Sequence, residues 1–192
     1  MSAENRNLDG RKSGVGQEHG GIRDRGRRIL RFIGNSGEKE RGELVDVLSK
    51  LLPLLYLKAS MLPYTEPEGL YLEESVTEPE YDSVRSVLSG VLAESDDYLE
   101  VFVEEMKYSD TPVRKSVSED LADIYQALKN FIVSYRSGLE EVMTEALAVC
   151  AEGFRTYWGQ TLANTLRAVH CIKYSLADEP DTYYSSADGI YD

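Results

Sequence analysis

The chain has 192 residues, of which 42% are hydrophobic and 29% are charged, a composition typical of one ordinary globular domain with some additional terminal segment. Lysine and arginine number 21 against 34 aspartates and glutamates, so the net charge at pH 7 is -13. This charge repels nucleic acid and anionic membrane surfaces and disfavours both as partners of the body. The sequence contains no run of about 18 apolar residues and no signal-peptide core, so we expect a cytoplasmic protein without a membrane span.

The first 38 residues are rich in glycine, serine, asparagine and charge, and they offer little apolar surface to bury. We therefore expect residues 1–38 to form a disordered basic extension. Five arginines cluster just ahead of or among apolar residues that could form one short amphipathic turn: Arg23, Arg25, Arg27, Arg28 and Arg31. The cluster could bind RNA, DNA or lipid, and this extension is the one place where we expect nucleic acid to bind. A solvated extension without a ligand is the favoured interpretation.

The first predicted helix covers residues 39–62, because its apolar residues return at steps of three and four. Pro53 lies inside it and removes one intrahelical hydrogen bond, so we expect a kink there or a boundary near Leu52. Pro63, Pro67 and Gly69 then mark a loop over residues 63–74.

The second predicted helix begins at Thr77 and continues to about Ala93. Thr77 and Glu80 have the spacing of a capping box, in which each side chain accepts a backbone amide of the other residue. Residues 96–110 are ambiguous, because their apolar spacing is weakly helical and also suits a short strand. We interpret them as a short helix.

The third predicted helix begins at Asp110 or Thr111, with Pro112 in its first turn, and has the clearest helical periodicity of the chain. It ends at Ser137 and Gly138. A last helical run covers residues 139–174, and Gly153 and Gly159 are its expected points of bending or breaking. Residues 175–192 are acidic and rich in tyrosine, and we expect them to be a disordered tail.

These elements predict an all-α fold, an antiparallel helical bundle with disordered N- and C-terminal tails. The bundle domain is expected to cover residues 39–174.

The outer side of the last helix is the most informative feature for function. On a helical projection its polar side carries amides, a phenol and one arginine, whereas a solvated face normally carries lysine and glutamate. We therefore expect this side to be covered by protein or to line a cleft. The candidate binding residues are Tyr157, Gln160, Asn164, Arg167 and His170, with Asp120 and Tyr125 from the third helix. A buried pair between Asp120 and Arg167 would explain both residues without a ligand.

The sequence lacks a phosphate-binding loop, a nucleophile elbow, an HExxH pair and paired cysteines. It therefore indicates no cofactor and no metal site. The alternative interpretation is a metal-dependent hydrolase, in which carboxylates and one imidazole converge on a divalent metal. Its candidate ligands are Glu105, Asp110, Asp120, Asp123 and His170.

Four blocks of the chain resemble a family of uncharacterised bacterial proteins, the domain of unknown function 5063. The blocks are LSKLLPLLYLKASMLP (48–63), SDDYLEVFVEEMKYSDTPV (95–113), SEDLADIYQALKNF (118–131) and FRTYWGQTLANTLRAVHCIKYS (154–175). The resemblance implies an all-helical protein of similar length and implies no activity. It also implies a leading helix, where this chain has its glycine- and arginine-rich stretch.

The function that we expect is a protein interaction or regulatory module, with another protein as the partner.

Overall fold

The fold is that of a computed structural model, which describes residues 9–100 and 112–175, with side chains from residue 21 onward. Its helices are α1 (Asp9–Gly34), α2 (Arg41–Ser60), α3 (Glu78–Leu92), α4 (Val117–Tyr135), α5 (Glu140–Gly153) and α6 (Gly159–Ser175). Its strands are β1 (Asp97–Glu100) and β2 (Val113–Ser116). The predicted helical bundle is confirmed, and no helix of the described ranges is both long and apolar enough to cross a membrane. The predicted tail beyond Ser175 lies outside the described residues.

Helix α4 is the centre of the bundle, because it packs against α1, α3, α5 and α6. Its inward residues recur at steps of three and four and are buried, as the sequence predicted: Val117, Leu121, Ile124, Leu128, Phe131 and Ile132. Helix α2 packs against α1 and α6 and contributes Leu44, Leu48, Leu52 and Leu55 to the same core. The α2 helix continues through Pro53 to Ser60, so the expected boundary near Leu52 is not formed.

Helix α1 corrects the prediction that residues 1–38 form a disordered extension outside a bundle that starts at residue 39. Ile22, Ile29 and Ile33 are buried in the core, and α1 packs against α2 and α4. Gly26 allows this close approach, because a Cβ atom there would lie 3.0 Å from Cδ1 of Ile132. Composition alone concealed this helix, since the buried residues of its described part are three isoleucines and a glycine at helical spacing.

The start of α3 differs from the predicted capping box. Thr77 is the N-cap residue, but its side chain makes no capping hydrogen bond. The Glu80 carboxylate instead accepts hydrogen bonds from the Tyr125 hydroxyl, at 2.9 Å, and from Lys129. The carboxylate that the capping box required is therefore bound by two side chains of α4, those of Tyr125 and Lys129.

Strands β1 and β2 correct the prediction of helical structure at residues 97–100 and 113–116, whereas residues 101–110 of the predicted short helix lie outside the described residues. They pair antiparallel, with Asp97 opposite Ser116 and Glu100 opposite Val113. Helix α4 consequently begins at Val117 and not beside Pro112. Asp96 caps its first turn, because its carboxylate accepts the Ser118 backbone N–H at 2.8 Å and the Ser118 hydroxyl at 2.7 Å.

A π-helical turn, Phe154–Trp158, separates α5 from α6. It lies between Gly153 and Gly159, the two positions at which the sequence predicted bending or breaking of the last helical run. At Gly159 a Cβ atom would lie 2.3 Å from the carbonyl oxygen of Phe154. The wide turn therefore has room only for glycine at this position.

Glu145 on α5 holds the long connection between α2 and α3. Its buried carboxylate accepts the backbone N–H groups of Glu68, Gly69 and Leu70, at 2.8, 2.9 and 3.1 Å. Gly69 has a φ of 83°, a conformation that favours glycine. The arrangement is a backbone nest filled by an internal anion.

Candidate functional site

Two aspartates on neighbouring turns of α4 accept hydrogen bonds from three tyrosines. The Tyr98 hydroxyl donates to Asp120 Oδ2 at 2.6 Å, and the Tyr81 hydroxyl donates to Asp123 Oδ1 at 2.7 Å. Tyr157 also donates to Asp123, through its other carboxylate oxygen. Partial burial and the adjacent carboxylates raise the pKa of all three phenols, which therefore remain neutral donors. These bonds connect α4 to β1, α3 and the π turn.

Asp120 has the most deeply buried carboxyl group of this cluster. Only 1% of the residue is exposed, and burial raises its pKa to about 6 because desolvation disfavours the charged form. The hydrogen bond from Tyr98, the charge of Lys115 and a 3.2 Å hydrogen bond from Thr165 act in the opposite direction. The carboxyl group consequently titrates close to neutral pH.

Glu100, at the end of β1, is the second buried carboxylate of the cluster. Its Oε1 accepts a 2.7 Å hydrogen bond from Nδ2 of Asn164, whereas its Oε2 is buried without a hydrogen-bond donor among the described residues. Lys115 Nζ lies 3.8 Å from Glu100 Oε2 and 3.9 Å from Asp120 Oδ1. One lysine on β2 therefore lies between two buried carboxylates and balances part of their charge.

The sequence did not identify Tyr98, Glu100, Lys115 or Thr165 as candidates. The first three lie on strands whose residues we interpreted as helical, so their helical projection did not place them beside α4 and α6. The available signal was the apolar run Val101 to Val103, which also suited a short strand.

The predicted pair between Asp120 and Arg167 is not formed. Arg167 is exposed on α6, while the partners of Asp120 are Tyr98, Thr165 and Lys115. The prediction was wrong because strands β1 and β2 bring Tyr98 and Lys115 to the aspartate. Contacts between segments that are distant in the chain leave no helical periodicity in the sequence.

The other candidate residues divide between two environments. Asn164 is only 9% exposed and lies beneath β1, whereas Gln160 is exposed and donates a 3.2 Å hydrogen bond to Asn164 Oδ1. Tyr125 is largely buried and faces α3 through Glu80, so it does not join the other candidates. Tyr157 is 54% exposed although its hydroxyl is bonded.

His170 is exposed near the C-terminal end of α6. Its ring centroid lies 4.6 Å from that of Tyr174, and the two rings are tilted by 52°. We call the exposed side of this helix the α6 outer face, defined by Gln160, Ala163, Arg167, His170, Cys171 and Tyr174. One permanent charge, on Arg167, lies on this face.

The candidate metal ligands do not come together in the part of the chain that the structure describes. No group of three or more histidine, cysteine, aspartate or glutamate side chains is placed there to hold a metal ion. Asp120 and Asp123 are engaged by tyrosines, and His170 is exposed. Glu105 and Asp110 lie outside the described residues.

The arrangement of α1 through α6 agrees with the comparisons with known proteins. The profile of the domain of unknown function 5063 matches residues 16–175. The chain belongs to this family. The matched range starts within α1, so α1 is part of the family domain.

One solved structure similar to this DUF5063 domain is the crystal structure of protein BF1032 from Bacteroides fragilis. The two chains share 41% sequence identity, and the match covers 85% of this chain and 94% of that chain, with a TM-score of 0.71. No curated protein matches the chain. The comparisons therefore establish the family and the fold, and they assign no activity.

Proposed function

We propose that this DUF5063 domain is a cytoplasmic protein interaction or regulatory module that binds another protein with its α6 outer face. The observation that supports the proposal is the combination of exposure and low charge on this face. Of its six exposed side chains, only Arg167 carries a permanent charge, in a chain with 29% charged residues.

Helix α3 shows what a solvated face of the same protein looks like. Its exposed residues include Glu78, Asp82 and Arg85, and the last two form an ion pair at 3.2 Å. The centres of protein interfaces, in contrast, are depleted in most charged residues and enriched in tyrosine and arginine. The α6 outer face, with Arg167 and Tyr174, has the interface composition.

The base of this face is held in place by the buried polar cluster. Gln160 is bonded to Asn164, and Asn164 is bonded to Glu100 on β1. A surface whose side chains are already positioned loses less conformational entropy when a partner binds. The fitting partner presents hydrogen-bonding groups along the helix and a carboxylate to meet Arg167.

A site-specific photo-crosslinker tests the proposal in bacterial cells that express the full chain. It replaces His170 in one variant and Ser83, an exposed residue of α3, in a control variant. We expect one discrete protein to be crosslinked from position 170 and not from position 83. Arg167→Glu should decrease this crosslink by about 10-fold or more, as expected for an arginine at the centre of an interface.

Circular dichroism of Arg167→Glu should show unchanged helix content, because the side chain lies outside the core. Crosslinking of the same proteins from both positions, or of none from position 170, contradicts the proposal. An unchanged crosslink in Arg167→Glu would show that the arginine lies outside the interface and would also contradict the proposal.

A further inference from the structure

A groove between α1 and α2 lies on a different surface from the α6 outer face. Its volume is about 470 Å³, and it is lined by Arg28, Arg31, Phe32, Asn35, Glu38, Lys39, Val47 and Leu51. Three of these residues are basic and one is acidic. The apolar part of the lining comes from Phe32 on α1 and from Val47 and Leu51 on α2, all of which are half-buried.

The basic side of the groove follows from the amphipathic character of α1. Ile22, Ile29 and Ile33 point into the core, and Arg28 and Arg31 project about 120° and about 180° away from the centre of this stripe on the helix. Both arginines are exposed, and neither forms an ion pair with another residue of the described ranges. Their charge is therefore available to a ligand.

Lys39, two residues before α2 begins, lines the same groove. Its Nζ lies 5.3 Å from the centre of the Phe32 ring, over which it forms a cation–π contact. The same ammonium group pairs with Glu43, which holds the side chain in place. The groove thus combines two arginines without an ion-pair partner among the described residues, one lysine held by Glu43, and a partly exposed apolar floor.

We propose that this groove binds a short acidic peptide segment of another protein, which also carries an apolar side chain. Arg28 and Arg31 bind its carboxylates through paired N–H groups. The apolar side chain packs against Phe32, Val47 and Leu51, whose remaining exposed surface it removes from water.

The charge of the whole chain favours a short peptide over nucleic acid. The basic groove belongs to a protein with a net charge of -13. A long polyanion extends past the groove, where the net negative charge of the protein repels it. A segment of a few residues contacts only the groove and avoids this repulsion.

Fluorescence anisotropy with the full-length protein tests the proposal. The probe is a labelled eight-residue peptide of glutamates and aspartates with one leucine and one phenylalanine. We expect binding that weakens as salt rises from 50 to 150 mM, because exposed ion pairs are screened. The double variant Arg28→Glu/Arg31→Glu should lower the affinity by about 10-fold or more.

The control double variant Arg85→Glu/Arg136→Glu has the same change in charge at two exposed positions outside the groove. It should keep most of the affinity. A probe with serines in place of leucine and phenylalanine should bind more weakly, since the floor is apolar.

Three results would overturn the proposal. The first is an absence of binding specific to the groove, seen either as no peptide binding at 50 mM salt or as an equal loss of affinity in the control variant. The second is tighter, Arg28- and Arg31-dependent binding of a 20-nucleotide RNA, which would assign the groove to nucleic acid. The third is tighter binding of a peptide with the sequence of residues 176–192, which would assign the groove to this chain's own acidic segment.

Discussion

The hydroxyl of Tyr98 donates a 2.6 Å hydrogen bond to Oδ2 of Asp120, 22 residues later in the chain. The bond connects β1 to α4 and supplies a donor to a carboxylate that is almost fully buried. It opposes the effect of burial, which raises the pKa of Asp120. The pair therefore couples the docking of the strands to the protonation of one side chain.

The first prediction concerns the pH dependence of stability. The folded-state pKa of Asp120 is raised to about 6 from 3.8, so its stabilising contribution is complete below about pH 4 and is lost as the pH rises through 6. Relative to Asp120→Asn, the wild-type protein should lose stability between pH 4.5 and 7.5. Urea unfolding at four pH values measures this difference.

Asp97→Asn is the control for this prediction. Arg114 lowers the pKa of Asp97 by hydrogen bonding, so the stability that depends on its charge is lost only as the pH falls below about 4. Between pH 4.5 and 7.5 its difference from the wild type should be constant. A constant difference for Asp120→Asn would show that Asp120 does not titrate in this range.

The second prediction concerns the π turn before α6. Gly159→Ala should lower the free energy of unfolding by about 1–3 kcal/mol, because the new Cβ would lie 2.3 Å from a backbone oxygen of Phe154. Gly90→Ala in α3 is the control, since no atom lies within 4 Å of the added Cβ. It should stabilise the protein by about 0.5 kcal/mol through helix propensity. Equal effects of the two substitutions would be incompatible with the π turn described here.

The third prediction concerns the turn that leads from α3 into β1. Ala93 has a φ of 51° and a ψ of -125°, a conformation that is strained for a residue with a Cβ atom. Ala93→Gly should therefore raise the free energy of unfolding by about 1 kcal/mol. Ala163→Gly, at an exposed helical position of α6, should lower it by about as much. A destabilising Ala93→Gly would contradict this backbone conformation.

The fourth prediction concerns the nest filled by Glu145. Glu145→Ala leaves three backbone N–H groups of residues 68–70 without their carboxylate acceptor. Because hydrogen bonds to charged groups are strong, we expect the free energy of unfolding to fall by about 2–3 kcal/mol. Thermal or urea unfolding measures this change. Glu141→Ala, at an exposed position on the same helix, should change stability by less than about 0.5 kcal/mol. Similar losses in both variants would argue against the nest.

Helical periodicity predicted the elements whose burial is regular along the chain. Leu121, Ile124 and Leu128 of α4 lie in the core as the spacing required. Glycine's low helix propensity marked Gly153 and Gly159, between which the structure has a π turn. The same method failed for α1, where abundant glycine and arginine outweighed three isoleucines at helical spacing. It also failed for β1 and β2, because strands of four residues are too short for an unambiguous period.

For the candidate site, the sequence identified Asp120 and Asn164 but not their partners. It alone determined the helical bundle and the low charge of the α6 outer face, because both depend on which residues recur along one helix. The tertiary structure decided that Asp120 meets Tyr98 and Lys115, and that Asn164 meets Glu100. These contacts join segments that are distant in the chain, so their formation depends on how the strands and helices pack and not on any local pattern.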